Sequence, residues 1–163
     1  MRVLEKVLDG LMATYKARVP DVLKVTEALI DHKIIERQAD IENDHIAFRT
    51  MGVPNLGIAS FEKIFKHYGY TPKDTYDFKS KKLNAQWYMP PSEEYPRVFI
   101  SELRVNEFSK EVQDIITSYT NEVKSDPVDE LDLDDAKQVN DFLHAALWKL
   151  PSLTDYRLSL IHI

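Results

Sequence analysis

The stretch "HIAFRTMGVPNLGIASFEKIFKHYG" (45–69) decides how this chain is read, because its hydrophobic period changes within it. His45 to Met51 has strand composition, and on a strand alternate residues face opposite ways. His45, Ala47 and Arg49 then share one face, and Ile46, Phe48 and Thr50 the other. "GVPNLG" (52–57) breaks the strand with two glycines and a proline. From Ile58 the period is helical: Ile58, Phe61, Ile64, Phe65 and Tyr68 fall on one stripe, and Gly69 suits a C-terminal cap.

Further strands follow outward from this unit. "YTPKDTYDF" (70–78) reads as extended, "KSKK" as a turn, "LNAQWYMPP" (83–91) as a strand and "RVFISELRV" (97–105) as the best strand in the chain. Upstream, residues 2–18 form an amphipathic helix on Val3, Leu4, Val7, Leu8, Leu11 and Met12. Residues 21–35 form a second, with Asp21 as its cap. Downstream, Ser109 opens a helix over 109–124, and a last helix runs over 134–150 until Pro151 stops it. Between them lies an acidic connector of Asp126, Asp129, Glu130, Asp132, Asp134 and Asp135, read as a solvated linker. The expectation is an α+β chain: a helical hairpin over 1–40, a βαβββ module over 41–108, and C-terminal helices with the connector over 109–156. Residues 157–163 form a suspect tail.

Bulk properties bound the function. With 163 residues, 44% of them hydrophobic and 29% charged, the chain is of single-domain size and ordinary globular composition. Its net charge of −6 argues against a nucleic-acid surface, which needs a basic patch. Absence of cysteine excludes thiolate catalysis, disulfides and Cys-ligated metal sites. No run is long and apolar enough to span a bilayer, and the N-terminus lacks a signal peptide's pattern. The default compartment is cytoplasmic, or an organelle if a targeting segment precedes Met1.

Two residues carry the chemistry. Neutral imidazole suits iron, zinc or copper, and guanidinium grips a carboxylate through two parallel N–H bonds. Four residues of strand separate the Cα atoms of His45 and Arg49 by about 13 Å, with small Ala47 between them. A metal on His45 could hold a small chelating acid whose far end leans toward Arg49. Against this, a strand histidine is commonly structural, and Arg49 could pair with Asp44 or Glu42. Glu102, a carboxylate inside "VFISEL", is a second candidate ligand; it could equally pair with Arg104, Arg97 or Lys63. Trp87 and Tyr88 could line a pocket or pack in the core. His32, His67 and His144 read as helix residues. No HExxH, GxSxG or phosphate loop occurs.

The element order and several specific words carry a resemblance. "DHIAFRT", "LGIASFEKIFKHYGYTPKDTYDFKSKKLNAQWYMPP", "PRVFISEL" and "LPSLTDY" resemble the 2-oxoadipate dioxygenase/decarboxylase family, also called 2-hydroxyglutarate synthases, and the βαβββ order resembles one module of the vicinal oxygen chelate fold. The resemblance implies an Fe(II) enzyme of lysine breakdown that converts 2-oxoadipate and O2 to 2-hydroxyglutarate and CO2. It implies that the H-x-x-x-R motif, here His45 to Arg49, supplies an iron ligand and a substrate-carboxylate clamp. The family's second histidine and its glutamate lie in a second module and have no counterpart here. The expectation is therefore an N-terminal portion, inactive alone, whose remaining ligands lie downstream of residue 163; the closing "SLIHI" (159–163) looks like adapter read-through. The partners expected are a 2-oxo acid and O2, with no nucleic acid or membrane. Two rival readings stay open: a glyoxalase-like metal-dependent lyase whose site is completed by dimerisation, and a non-catalytic binding module.

Overall fold

The computed structural model describes residues 2–159. The "SLIHI" tail, except Ser159, lies outside the described residues. The chain divides into two compact units, one of Met1–Asp44 with Asp132–His144, the other of His45–Leu131 with Ala145–Ile163.

The first unit is helical. Helix α1 (Val3–Arg18) buries Leu4 and Val7, and α2 (Asp21–Asp31) follows a short break at Val19 and Pro20. Asp21 is the first helical residue of α2; Pro20 holds the cap position, so the expected aspartate cap is displaced by one. The principal packing partner of α1 is α5 (Ala136–His144), whose Val139 is fully buried. Asn140 seals this contact: its Nδ2 donates to Lys6 O at 3.2 Å, and its side chain occupies the space beside Gly10. Asp135 caps α5 by accepting from Lys137 N at 2.8 Å.

The second unit is built on one sheet. Strands β1 (His45–Met51), β2 (Thr71–Phe78), β3 (Leu83–Met89) and β4 (Arg97–Leu103), with α3 (Ile58–His67) after β1, give βαβββ in the spatial order β1-β4-β3-β2. β1 runs parallel to β4, and β3 is antiparallel to both β4 and β2. The α+β class and the βαβββ order are as the sequence predicts.

Helix α3 covers one face of the sheet. Ile64, Phe65, Tyr88, Val98 and Ile100 are fully buried there. Phe48 of β1 lies 5.4 Å from the Phe61 ring and 5.3 Å from that of Phe65, centroid to centroid. Gly69 ends α3 with a left-handed φ of 87°; its N–H bonds Lys66 O and that of Tyr70 bonds Phe65 O, at 3.0 Å each. The Tyr88 hydroxyl donates to Glu62 Oε2 at 2.9 Å; burial first, and then this carboxylate, push the phenol's pKa up.

Helix α4 (Lys110–Thr120), capped by Ser109, covers one end of the other face. Leu83, Leu103, Val105 and Ile116 form a core there, with Met51, Val53, Phe108 and Val112 packed against it. The expected helix over 134–150 stops at His144. Residues beyond it are drawn to α4's end instead: Glu122 accepts from Lys149 N at 3.2 Å and pairs with its Nζ at 3.3 Å. Helix α6 (Leu153–Ser159) is tied to α4 where the Tyr119 hydroxyl donates to Asp155 Oδ2 at 2.7 Å. No helix among the described residues is long and apolar enough to cross a membrane.

The first part of the acidic connector is structural rather than merely solvated. Asp126 accepts from Ser60 Oγ at 2.7 Å, Lys63 Nζ at 2.8 Å and Val128 N at 3.0 Å, which fastens it to α3. Burial pushes the Asp126 carboxyl up, but these three donors outweigh it and hold the pKa below the ordinary 3.8. A depressed folded pKa contributes stability above the unfolded value, lost as pH falls through the folded one. Asp126→Asn is therefore expected to cost about 1–3 kcal/mol at neutral pH. Urea denaturation should show the gap from the wild type closing as the pH drops below 3.8. A gap that widens in acid would refute this.

Candidate functional site

The alternation of β1 divides its residues as the sequence predicts. His45, Ala47 and Arg49 are exposed, while Ile46 and Phe48 are half-buried and Thr50 is buried toward α3. The register extends this face across the sheet in rows: His45 opposite Arg97, Ala47 opposite Phe99, Arg49 opposite Ser101. Ser101 pairs onward with Ala85, and Phe99 with Trp87. The next row, Met51 with Leu103 and Leu83, lies under α4's core, so the face is roofed at that end and open in the three rows from His45 to Arg49.

The open rows combine one imidazole, two guanidiniums and an aromatic floor. The His45 ring meets Phe99 edge-on, with centroids 6.3 Å apart. Phe99 lies 5.6 Å from Tyr76, which stacks at 6.1 Å on Phe78. Ala85, paired with Tyr76, is small enough for the Tyr76 and Phe99 rings to meet across β3. Trp87 and Tyr88 part company: Tyr88 belongs to the core beneath α3, and Trp87 lies on the open side, its Nε1 3.4 Å from Asp74 Oδ2. The sequence names both without separating them; strand parity was the signal that could have done so.

Glu102 is not brought together with His45. By register it pairs with Thr50 and Asn84, on the face that α3 covers. Its Oε2 accepts from Ile58 N at 2.9 Å and its Oε1 from Asn84 Nδ2 at 3.3 Å. The carboxylate thus sits at the N-terminus of α3, where negative charge is favoured. Gly57, with φ 90°, makes room for it: a Cβ there would come within 2.6 Å of Glu102 Oε2. The partners weighed from sequence go elsewhere. Arg104 pairs with Asp77 and with Glu107, and Lys63 with Asp126 and Asp129. Asp44, Arg49 and Arg97 all have interactions of their own.

His67 packs edge-on against Tyr68 at the end of α3, His144 Nδ1 lies 2.7 Å from Asn140 O, and His32 caps α2. His162 lies outside the described residues. Among the described residues no group of three or more His, Asp or Glu side chains could hold a metal ion. The open rows therefore offer one imidazole and two guanidiniums, short of a complete metal centre among the described residues.

Comparisons with known proteins bear on the family and the fold. The family model for 2-oxoadipate dioxygenase/decarboxylase matches residues 7–160. The chain is 46% identical over 128 residues to a chloroplastic 2-oxoadipate dioxygenase/decarboxylase of Arabidopsis thaliana, spanning 70% of this chain and 33% of that protein. A chloroplastic/amyloplastic counterpart from Oryza sativa subsp. japonica is 44% identical over 86 residues, 47% of this chain and 24% of its own length. The chain thus spans a third or less of these curated relatives. Its fold superposes on the crystal structure of the Oryza sativa hydroxyglutarate synthase in complex with 2-oxoadipate, with a TM-score of 0.73 and 28% identity, over 93% of this chain and 48% of that one. A putative glyoxalase superfamily protein from Ralstonia eutropha JMP134 shares the fold alone, at a TM-score of 0.71 and 20% identity, over 93% of this chain and 53% of that one. On the family match, which runs nearly end to end, the chain belongs to the 2-oxoadipate dioxygenase/decarboxylase family.

Proposed function

We propose that this chain is one module of a non-haem Fe(II)-dependent dioxygenase/decarboxylase. The reaction converts 2-oxoadipate and O2 to 2-hydroxyglutarate and CO2. The observation that carries the reading is the pairing of His45 and Arg49 on the open sheet face, within a chain of this family. His45 holds the metal through one ring nitrogen. The further ligands come from outside the described residues, because one imidazole does not retain Fe(II) and Glu102 is engaged at α3.

The chemistry that Fe(II) supplies when bound is chelation of the 2-oxo acid and activation of O2. The module's own residues hold and orient. Arg49 takes the distal carboxylate in a bidentate grip, which fixes the substrate along β1 and discriminates by chain length. Ala47 leaves room for the methylene chain. Phe99 and Tyr76 give it an apolar surface and keep water from one side.

The lyase reading loses support from the same geometry, since its dimeric site drew on Glu102 beside His45. The plastid location in the plant relatives' names favours an organelle over the cytoplasmic default for the whole protein. Oxygen uptake by the whole protein with Fe(II) and 2-oxoadipate is the test. The expected result is O2 consumption matched mole for mole by 2-hydroxyglutarate. No uptake by an iron-loaded whole protein would remove the proposed reaction.

A further inference from the structure

We propose that the cleft between the β2–β3 turn and the start of α4 binds a phosphate monoester. It lies apart from the open rows of His45 and Arg49, and the inference does not rest on them.

The cleft has a volume of about 360 Å3 and is lined by Ser80, Lys81, Lys82, Phe108, Ser109 and Val112. Small-molecule sites run from roughly 300 to 1,000 Å3. Its lysines come from the turn "KSKK" (79–82), which sets three ammonium groups within four residues. The backbone of this turn is held from both sides. Lys82 N bonds Lys79 O at 3.1 Å, and Arg104 N bonds Lys82 O at 2.8 Å. Lys82 has a left-handed φ of 51°, and its ammonium lies 4.3 Å from the centre of the Phe108 ring. Its Nζ donates to Glu107 O at 2.7 Å, which uses one of the three hydrogens an ammonium carries.

Charge selects the class of ligand. The chain carries a net charge of −6, yet no carboxylate lines the cleft. The acids nearest in sequence are engaged by other cations: Asp77 and Glu107 pair with Arg104, and Asp114 with Lys110. Glu111, exposed in the first turn of α4, is outside the lining. Lys79 and Lys81 are exposed and make no ion pair with a described residue. Ammonium groups are point charges that suit phosphate, whereas carboxylates are gripped best by a guanidinium fork, which the lining lacks. Two hydroxyls add donors. Ser109 Oγ accepts from Val112 N at 3.4 Å, which leaves its own hydrogen to donate, and Ser80 offers a second. The remaining wall, Phe108 and Val112, is apolar and backed by the core of Leu83, Leu103 and Ile116. Inorganic phosphate would leave that wall unused; an ester with an apolar or aromatic group covers it.

The test is calorimetric titration of the whole protein, without iron or O2, with phenyl phosphate and with inorganic phosphate. Phenyl phosphate is expected to bind about tenfold more tightly than inorganic phosphate, and Lys81→Gln to weaken it about tenfold. Lys81 is exposed and makes no ion pair with a described residue, so this variant should fold as the parent does. Lys124→Gln makes the same charge change on another exposed lysine and should leave the affinity unaltered. The proposal is overturned if Lys81→Gln binds phenyl phosphate undiminished, if Lys124→Gln weakens it equally, or if inorganic phosphate binds as tightly. It is also overturned if a hexaglutamate peptide binds more tightly than phenyl phosphate and requires Lys81, since the cleft would then dock an acidic protein segment.

Discussion

Replacing His45 by alanine in the whole protein is expected to reduce both retained iron and O2 consumption on 2-oxoadipate to background. The imidazole is the one side chain of the open rows able to ligate a metal, so its loss leaves the centre a ligand short. The fold should scarcely notice. His45 begins β1 on its exposed face, and the burial that fixes this strand is on Ile46, Phe48 and Thr50. Stability should therefore stay within about 0.5 kcal/mol of the parent, as for surface changes generally. Metal analysis after gel filtration checks the first point and thermal denaturation the second. His67→Ala is the control: that ring packs on Tyr68 at the end of α3 and should change neither iron content nor turnover. An His45→Ala protein with undiminished iron would mean that the metal is held elsewhere.

The largest effect on stability is expected at Phe65. Its side chain is fully buried between sheet and helix, 5.3 Å from the Phe48 ring and 5.6 Å from that of Tyr70, centroid to centroid. Truncation to alanine removes the apolar contact and leaves a cavity that a packed sheet cannot close, at about 3–5 kcal/mol. Phe48 would lose support, and with it the β1 backbone that carries His45 and Arg49. Phe65→Ala should thus weaken substrate binding as well as fold, whereas Phe65→Leu should cost less and spare the site. Urea midpoints at constant m-value measure the cost. A loss under 1 kcal/mol would show that α3 does not anchor β1.

These expectations trace back to parts of the sequence of unequal clarity. The unit from His45 to Gly69 was legible because strand parity and helical period each leave a strong local pattern, and the observed β1 and α3 follow them. The shared face of His45 and Arg49 follows from parity alone. Arg97 was not legible, since only the parallel register of β1 on β4, a contact across fifty residues of chain, sets it beside His45. Glu102 misled for the same reason: its strand was evident, but its bond to Ile58 N depends on where α3 begins over the sheet. The helix expected over 134–150 ends at His144, and Lys149 beyond it meets Glu122, a partner distant in sequence. Local chemistry wrote the elements, and tertiary contacts decided which polar side chains were already engaged.

The most direct measurement is a crystal structure of the whole protein with iron and 2-oxoadipate, prepared without O2. The expected result is a His45 ring nitrogen within direct bonding distance of the metal, and the substrate's distal carboxylate in the fork of Arg49. A metal bound without His45, or a substrate lying away from the open face of β1, would contradict it.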